Sequence, residues 1–428
     1  MQNKLKKILI VSSYAPPAIG GPQNLYNLLR DFPLDRYCIL TSYYNIDNVS
    51  AMKGIWLRGE YIFYDNPQAG QEARKQAIHG ENIKSKLSQN IQKLKFLMKR
   101  LWLIRTLAGL PVIFSQVFAI MHVGKKTIVD KNIDVLLGFS DYGPAMLGTF
   151  FLHKLTKKPY HIFLFDLYKG NFLPFPGGLL ANIFERTILT NAEKIIVTNA
   201  GTKELYEKRY GATMSKKIVI IHNSVFPESY IQTSEKKEIG STNSPSTILF
   251  TGRIYWPQIG ALKNLIRAVN EINDPDLQLK IYSPSPKNYL KEIGIVEYEK
   301  VKLGMATPAE IPEIQKNADI LFLPLSWNTE SQAIIDTATP GKLTDYLISG
   351  KPILIHAPAS SYLVQYAKEK NFALAVDDEN IETLKTGIKR LLTDSSYVQE
   401  LVANARATFF ENHDANKNAK LFQDLLKN

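Results

Sequence analysis

A chain of 428 residues exceeds what one hydrophobic core supports, so two or three domains are expected. Its 45% hydrophobic and 21% charged residues exclude a disordered chain, and a single cysteine, Cys38, excludes a disulfide framework and fits a reducing compartment. The net charge of +12 belongs to the first half: residues 1–230 carry 30 Lys and Arg against 16 Asp and Glu, residues 231–428 carry 22 against 24, which points to an anionic partner for the first half.

The N-terminus has the outline of a signal peptide. Its apolar run, Ile-Leu-Ile-Val, is too short and passes straight into Ser-Ser-Tyr-Ala-Pro-Pro, so Lys7 to Ser13 reads as a first strand. Gly20 and Gly21 follow, then a helix with Leu25, Leu28, Leu29 and Phe32 on one face. Strand, glycine loop, helix lets a backbone approach a phosphate, although a plain βα turn uses the same residues. Arg36 to Thr41 and Tyr61 to Tyr64 read as further strands.

Between Asn82 and Val129 there is no acidic residue, against nine Lys and Arg. Leu87, Ile91, Leu94, Leu97, Leu101, Ile104 and Ala108 recur at helical spacing, which predicts an amphipathic helix over about 83–108. Lys93, Lys95, Lys99, Arg100 and Arg105 surround the stripe, with Trp102 at its edge. Such a helix can lie in an anionic membrane interface. The alternative is a packed helix with solvated lysines; the length of the acid-free run favours the membrane. No apolar run reaches the length of a membrane span, because Gly109 and Pro111 are expected to break the piece from Thr106 to Gly124.

Alternation resumes with strands at Ile133 to Phe139, Tyr160 to Phe165, Lys194 to Thr198 and Ile218 to His222. Asp141 and Asp166 fall just beyond the carboxyl ends of two of these strands, where doubly wound sheets bind ligands; each could equally cap the next helix. Residues 226–246, rich in Ser, Gly, Pro and Asn, read as a linker. A second alternating set follows: strands at Thr247 to Thr251, Leu277 to Tyr282, Val301 to Leu303, Ile320 to Leu323 and Pro352 to His356, with helices near Ile259 to Ile272 and Ala309 to Asn317. The fold class is therefore α/β, two Rossmann-like doubly wound parallel sheets: residues 1–225, then 247–410 after the linker, with a final helix at 411–428.

Within the second half, Thr339 is a candidate N-cap and Pro340 a first helical residue, and Leu343, Tyr346 and Leu347 form an apolar stripe. Free N–H groups of Gly341, Lys342 and Leu343, with the Lys342 charge, would make an anion site. Asp345 lies on the same face as Lys342 and could accept from a pair of sugar hydroxyls. Side by side, these describe a nucleotide-sugar site; an ordinary capped helix is the competing reading.

The ordered set Gly20-Gly21, Ile-Ile-His-Asn-Ser at 220–224, Thr-Gly-Arg at 251–253, Ala318-Asp319-Ile-Leu-Phe-Leu-Pro324 and Lys342-Leu-Thr-Asp345-Tyr-Leu-Ile-Ser-Gly350-Lys-Pro352 resembles the GT-B glycosyltransferases, nearest the family 4 group of bacterial polysaccharide and lipopolysaccharide enzymes. The resemblance implies two Rossmann-like domains facing across a cleft, the second gripping a nucleotide sugar and the first holding the acceptor. The last helix would cross back onto the first domain. It implies a donor set of Gly20, Gly21, Arg253, Lys263, Tyr282, Thr339, Gly341, Lys342, Leu343 and Asp345, with Asp141, Asp166 and Arg253 at the chemistry. Three positions depart from the family pattern. Asp345 and Thr337 stand where glutamates are usual, and Gln258 stands where a lysine is usual, so Lys263 or Lys342 is expected to supply that charge.

The implied reaction moves a sugar from a nucleotide donor to a lipid-linked or polysaccharide acceptor with retention, without cofactor or metal, on the cytoplasmic face of a membrane. A sugar-nucleotide epimerase of the same fold and a non-catalytic membrane-bound partner subunit are the alternatives. Asp274-Pro-Asp276 spells a metal motif but precedes a strand, and Pro275 marks a turn; the histidines lack zinc spacing. No nucleic-acid recognition module is visible.

Overall fold

The computed structural model describes residues 5–16, 20–43, 56–78, 102–140, 143–171, 173, 175–231, 245–327 and 331–427; for 73, 75–78, 102–108, 229 and 231 it describes the backbone alone. Asp141, Lys93, Lys95, Lys99 and Arg100 lie outside the described residues, as does most of the expected helix at 83–108. Trp102 and Arg105 are described only as helical backbone.

The chain divides into two compact units, one of residues 1–222 with 418–428, the other of residues 223–417. Seven strands form the sheet of the first: β1 (Ile8–Val11), β2 (Tyr37–Thr41), β3 (Glu60–Phe63), β4 (Val135–Phe139), β5 (Tyr160–Leu164), β6 (Lys194–Val197) and β7 (Ile218–Ile220). Their order is β3-β2-β1-β4-β5-β6-β7, and every pairing is parallel. Strands such as Ile-Leu-Ile-Val and Val-Leu-Leu-Gly-Phe are buried along their whole length, which is why they are apolar runs and do not alternate.

The core on one face of this sheet joins Ile8, Ile10, Leu25, Leu28 and Phe32 to Phe422 of the last helix, Ala415–Leu425, and to Leu426 just after it. Lys6 N–H donates to Leu426 O at 3.0 Å, and Leu5 bridges Lys427. The first strand and the end of the chain thus complete one core.

Contrary to expectation, Gly109 and Pro111 do not break the chain: one helix runs through both, Trp102–Lys131. Pro111 sits on the exposed side, where a carbonyl freed one turn earlier can face water. Gly109 is where the Pro176 ring packs; a Cβ there would stand 2.5 Å from Pro176 Cδ. The segment Gly109–Lys131 is long and apolar enough to cross a membrane by length and composition, which corrects the sequence expectation. In the fold, however, Ile113, Val117, Ile120 and Ile128 are buried within the unit.

Six strands form the second sheet: β8 (Ser246–Thr251), β9 (Leu277–Tyr282), β10 (Val301–Gly304), β11 (Ile320–Pro324), β12 (Ile353–His356) and β13 (Leu374–Val376). Their order is β10-β9-β8-β11-β12-β13, again all parallel. The helix Trp256–Glu271 buries Leu262, Leu265 and Val269 against Ile248, Phe250 and Leu279. Within the expected linker, Glu228–Ile231 is helical, while residues 232–244 lie outside the described residues.

Candidate donor site

The second unit gathers its conspicuous polar residues where β8 ends. Gly252 has φ +114°, a conformation that favours glycine, and its N–H donates to Tyr282 O at 2.8 Å. The Tyr282 ring lies against Gly304, where a Cβ would come within 2.8 Å of it. Arg253 is exposed, and the next amide, Ile254, donates to Ser285 Oγ at 3.2 Å. The turn is tied to the helix Lys342–Ile348 through the fully buried phenol of Tyr346, which accepts from Thr251 N–H at 3.1 Å.

That helix begins later than its sequence suggests. Pro340 O accepts from Leu343 N–H at 2.9 Å, so the Leu343 amide is not free; Gly341 O accepts from Thr344 N–H at 3.4 Å and Thr344 Oγ1 at 2.8 Å. The tight first turn shifts the start to Lys342 with Gly341 before it, and Thr339 is not its cap. Thr339 instead offers its carbonyl to Asn223 Nδ2 at 3.2 Å. Among the described residues, the amides of Gly341 and Lys342 have no hydrogen-bond partner, which leaves two donors at this end of the helix.

The Lys342 side chain runs back over the β8 turn. A Cβ on Gly252 would stand 3.0 Å from Lys342 Cε, and the ammonium lies 4.6 Å from the Phe250 ring centroid. With its amide in the orientation that satisfies both ends, Gln258 donates to Arg253 O at 3.0 Å and accepts from Lys342 Nζ at 3.2 Å. Burial lowers the Lys342 pKa to about 8, with the Asp345 carboxylate opposing the shift. One turn on, burial raises Asp345 to about 6, against a hydrogen bond from Tyr230 and the charge of Lys342. Cation, carboxylate and two backbone donors therefore share one helix start, an arrangement that can hold an anion next to a diol.

Of the residues singled out from sequence, the structure brings Arg253, Tyr282, Gly341, Lys342, Leu343 and Asp345 to this rim. Lys263 is exposed on the helix Trp256–Glu271, and its described neighbour is Gly294, 3.5 Å from Nζ to the site of a Cβ. Thr337 is buried and donates to Ala333 O at 2.7 Å within its own helix. Asp276 N–H donates to Asp274 Oδ1 at 2.9 Å, the turn that Pro275 marks. Among the described residues no group of three or more His, Cys, Asp and Glu could hold a metal ion. Sequence reasoning missed Tyr230, read Tyr346 only as part of an apolar stripe, and had no signal for the bond of Gln258 to Lys342, since Asp345, Thr251 and Lys342, the respective partners, are remote in the chain.

In the first unit, Gly20 has φ +89°, and Gly21 is overlain by the Phe165 ring: a Cβ would be 2.2 Å from Cε2. Asp166 follows Phe165, and its N–H donates to Ser140 Oγ at 3.3 Å. Asp166 is exposed, and desolvation by the chain around it raises its pKa. The loop that carries Asp166 is anchored by Glu185, a fully buried carboxylate. Glu185 accepts from Lys169 N–H at 2.6 Å, Tyr206 at 3.1 Å and Tyr210 at 2.6 Å, with Arg209 Nη1 at 3.6 Å.

Two parallel, doubly wound sheets, of seven and six strands, define a two-domain α/β protein of the GT-B fold. Residues 231–408 match the model of the Glycosyl transferases group 1 family. A glycosyltransferase from Rickettsia africae aligns over 99% of this chain and 98% of its own, with a TM-score of 0.65 at 13% identity. Anabaena HepE, in complex with UDP and glucose, aligns over 98% and 99%, with a TM-score of 0.63 at 14% identity. An uncharacterised glycosyltransferase of Methanocaldococcus jannaschii is 21% identical over 220 residues, 49% of this chain. The match spans 53% of that relative, about half its length.

Proposed function

We propose that the protein transfers a sugar from a nucleotide-sugar donor to a lipid-linked or polysaccharide acceptor, with retention of configuration. The observation that carries this reading is the Lys342 ammonium held over Gly252 next to Arg253, with Asp345 one turn away. In this reading the donor diphosphate takes the amides of Gly341 and Lys342, the Lys342 ammonium and the Arg253 guanidinium. Asp345 accepts from the ribose hydroxyls. As the glycosidic bond breaks, negative charge grows on the departing diphosphate, and preplaced cations stabilise it without reorganising. No metal is needed for that step. Asp166, with Asp141, serves the acceptor.

The acceptor side belongs to the first unit, which carries the excess positive charge. Val112 and Phe118 stand out from the helix Trp102–Lys131, and Phe175, Leu179 and Ile183 are exposed near the Gly109–Pro176 contact. Apolar side chains among lysines suit an anionic bilayer surface, which supports a peripheral position on the cytoplasmic face of a membrane as part of this reading.

A panel of nucleotide sugars, UDP sugars first, tests the reading by thermal shift and by hydrolysis. One donor should raise the melting temperature and be cleaved, and Arg253→Ala should weaken its binding by roughly 1.5–3 kcal/mol. No response to any donor, or an unchanged affinity in Arg253→Ala, would overturn it. Interconversion of the donor sugar without acceptor would identify an epimerase instead.

A further inference from the structure

Gln258 stands where the resembled family carries a lysine, yet it is only 1% exposed. A buried amide must satisfy both its oxygen and its nitrogen. Gln258 does so with the Arg253 carbonyl on one side and the Lys342 ammonium on the other. Lys342 comes from a different element, the helix start after β11, and its stem crosses Gly252 where no Cβ blocks it. An ammonium has three donors; the Gln258 oxygen takes the one hydrogen bond described for it, and the Phe250 ring supplies a face contact. Lys342 as a residue is half-buried, and its ammonium has donors beyond the one that Gln258 takes.

We propose that Gln258 is a positioning residue that fixes the Lys342 ammonium next to the Arg253 main chain, so that Lys342 supplies the diphosphate-binding charge from a different element of the fold. The inference rests on the donor-site reading above. A lysine stem is flexible and its head is a point charge, so its position depends on what it is bonded to. An apolar side chain at 258 removes that acceptor and also frees the Arg253 carbonyl. Because burial lowers Lys342 to about 8, its charge is lost as pH rises through that value. An alkaline decline in diphosphate affinity is therefore the signature of Lys342, and its position on the pH axis reports what residue 258 presents to it.

The test is calorimetry on the full chain with UDP, GDP and ADP, each compared with its own nucleoside, across pH. Gln258→Leu should lose about tenfold or more in affinity for the diphosphate that the wild type binds, as for one charge-assisted hydrogen bond, with nucleoside affinity unchanged. Gln258→Glu places a carboxylate on the ammonium and should move the alkaline decline to higher pH, which a merely structural role would not do. The exchange Gln258→Lys with Lys342→Gln should regain part of the affinity that Lys342→Gln alone loses. Wild-type affinity in Gln258→Leu, or an unmoved alkaline decline in Gln258→Glu, overturns the proposal. If Gln258→Leu fails to fold, the Glu variant and the exchange decide. A wild type that binds none of the diphosphates refutes the donor-site reading itself, a result distinct from a wild type that binds and variants that do not differ.

Discussion

The phenol of Tyr230 donates to the Asp345 carboxylate. Tyr230 belongs to the short helix Glu228–Ile231, and Asp345 to the helix that starts the donor site. The bond holds the carboxylate ionised against the burial that raises it to about 6. The folded-state pKa is thus above the usual value of 3.8, and the acceptor form is lost as pH falls through about 6. Nucleoside-diphosphate affinity should decline on that acid side. Tyr230→Phe should move the decline to higher pH, since a donor that favours the ionised form is gone. Asp345→Ala should abolish the preference for a ribose over a dideoxyribose nucleotide, and an Ala variant that keeps the preference would make Asp345 a structural residue. Titration calorimetry with both nucleotides measures this.

Gly21 tests the packing at the end of β1. Gly21→Ala drives a Cβ into the Phe165 ring and should destabilise the first unit by about 1–3 kcal/mol, the usual cost of overpacking. Adding Phe165→Leu should recover part of the loss, a non-additivity that a double-mutant cycle in urea reads directly. Strict additivity would mean that the two residues do not meet.

Two buried histidines set an acid limit. Neither ring nitrogen of His161 in β5 has a partner among the described residues, and burial lowers its pKa from 6.5 to about 4. His356 accepts or donates at 3.1 Å with Asn264 and at 3.2 Å with Val376 O; the carbonyl requires Nδ1 to carry the proton, so Nε2 accepts from the amide. It too is lowered to about 4 by burial. Both folded pKa values lie below the unfolded ones, so the unfolded chain takes up protons first. Stability is full above about 6.5 and falls as pH drops toward about 4, by up to roughly 3 kcal/mol per histidine. Chemical denaturation across this window should show the decline, and His161→Phe should flatten it.

Reversing Lys93, Lys95, Lys99 and Arg100 to Glu should release the protein from anionic vesicles in flotation. Each basic residue near such a surface contributes about 1 kcal/mol, less in salt. Nucleotide binding should not change. Wild-type protein that stays in the soluble fraction at low salt would remove the membrane from the proposal.

Transfer should persist in a strong chelator, because Arg253 and Lys342 are proposed to carry the charge neutralisation. Complete loss of activity, restored by a divalent cation, would transfer that role to a metal.

Central strands such as β1, β4 and β12 were legible as apolar runs bounded by polar turns, and β9 as an alternating Leu-Gln-Leu-Lys-Ile-Tyr. The strand β13 was not: Leu374–Val376 is three residues long and only part-buried, and so carries no pattern. The helix through Pro111 defeated a local rule: the Pro111 ring stands exposed and the helix continues on both sides of it. At the donor site, Arg253, Lys342 and Asp345 could be singled out by residue type and spacing. Gln258 could only be read as a missing lysine, since its bond to Lys342 crosses between two elements far apart in the chain. Tyr230 was hidden in what composition marks as a linker. The early-start reading of the 342 helix failed at Pro340, whose carbonyl closes a tight turn onto Leu343.

The core that contains Ile8 and Ile10 also contains Phe422 and Leu426. The chain must therefore leave this unit, build the whole of the second, and return before the first is complete. During synthesis, the unit begun first is the one finished last. Residues 223–417 form an uninterrupted segment, whereas the apolar face around Leu25 and Phe32 lacks Phe422 and Leu426 until that whole segment has been made.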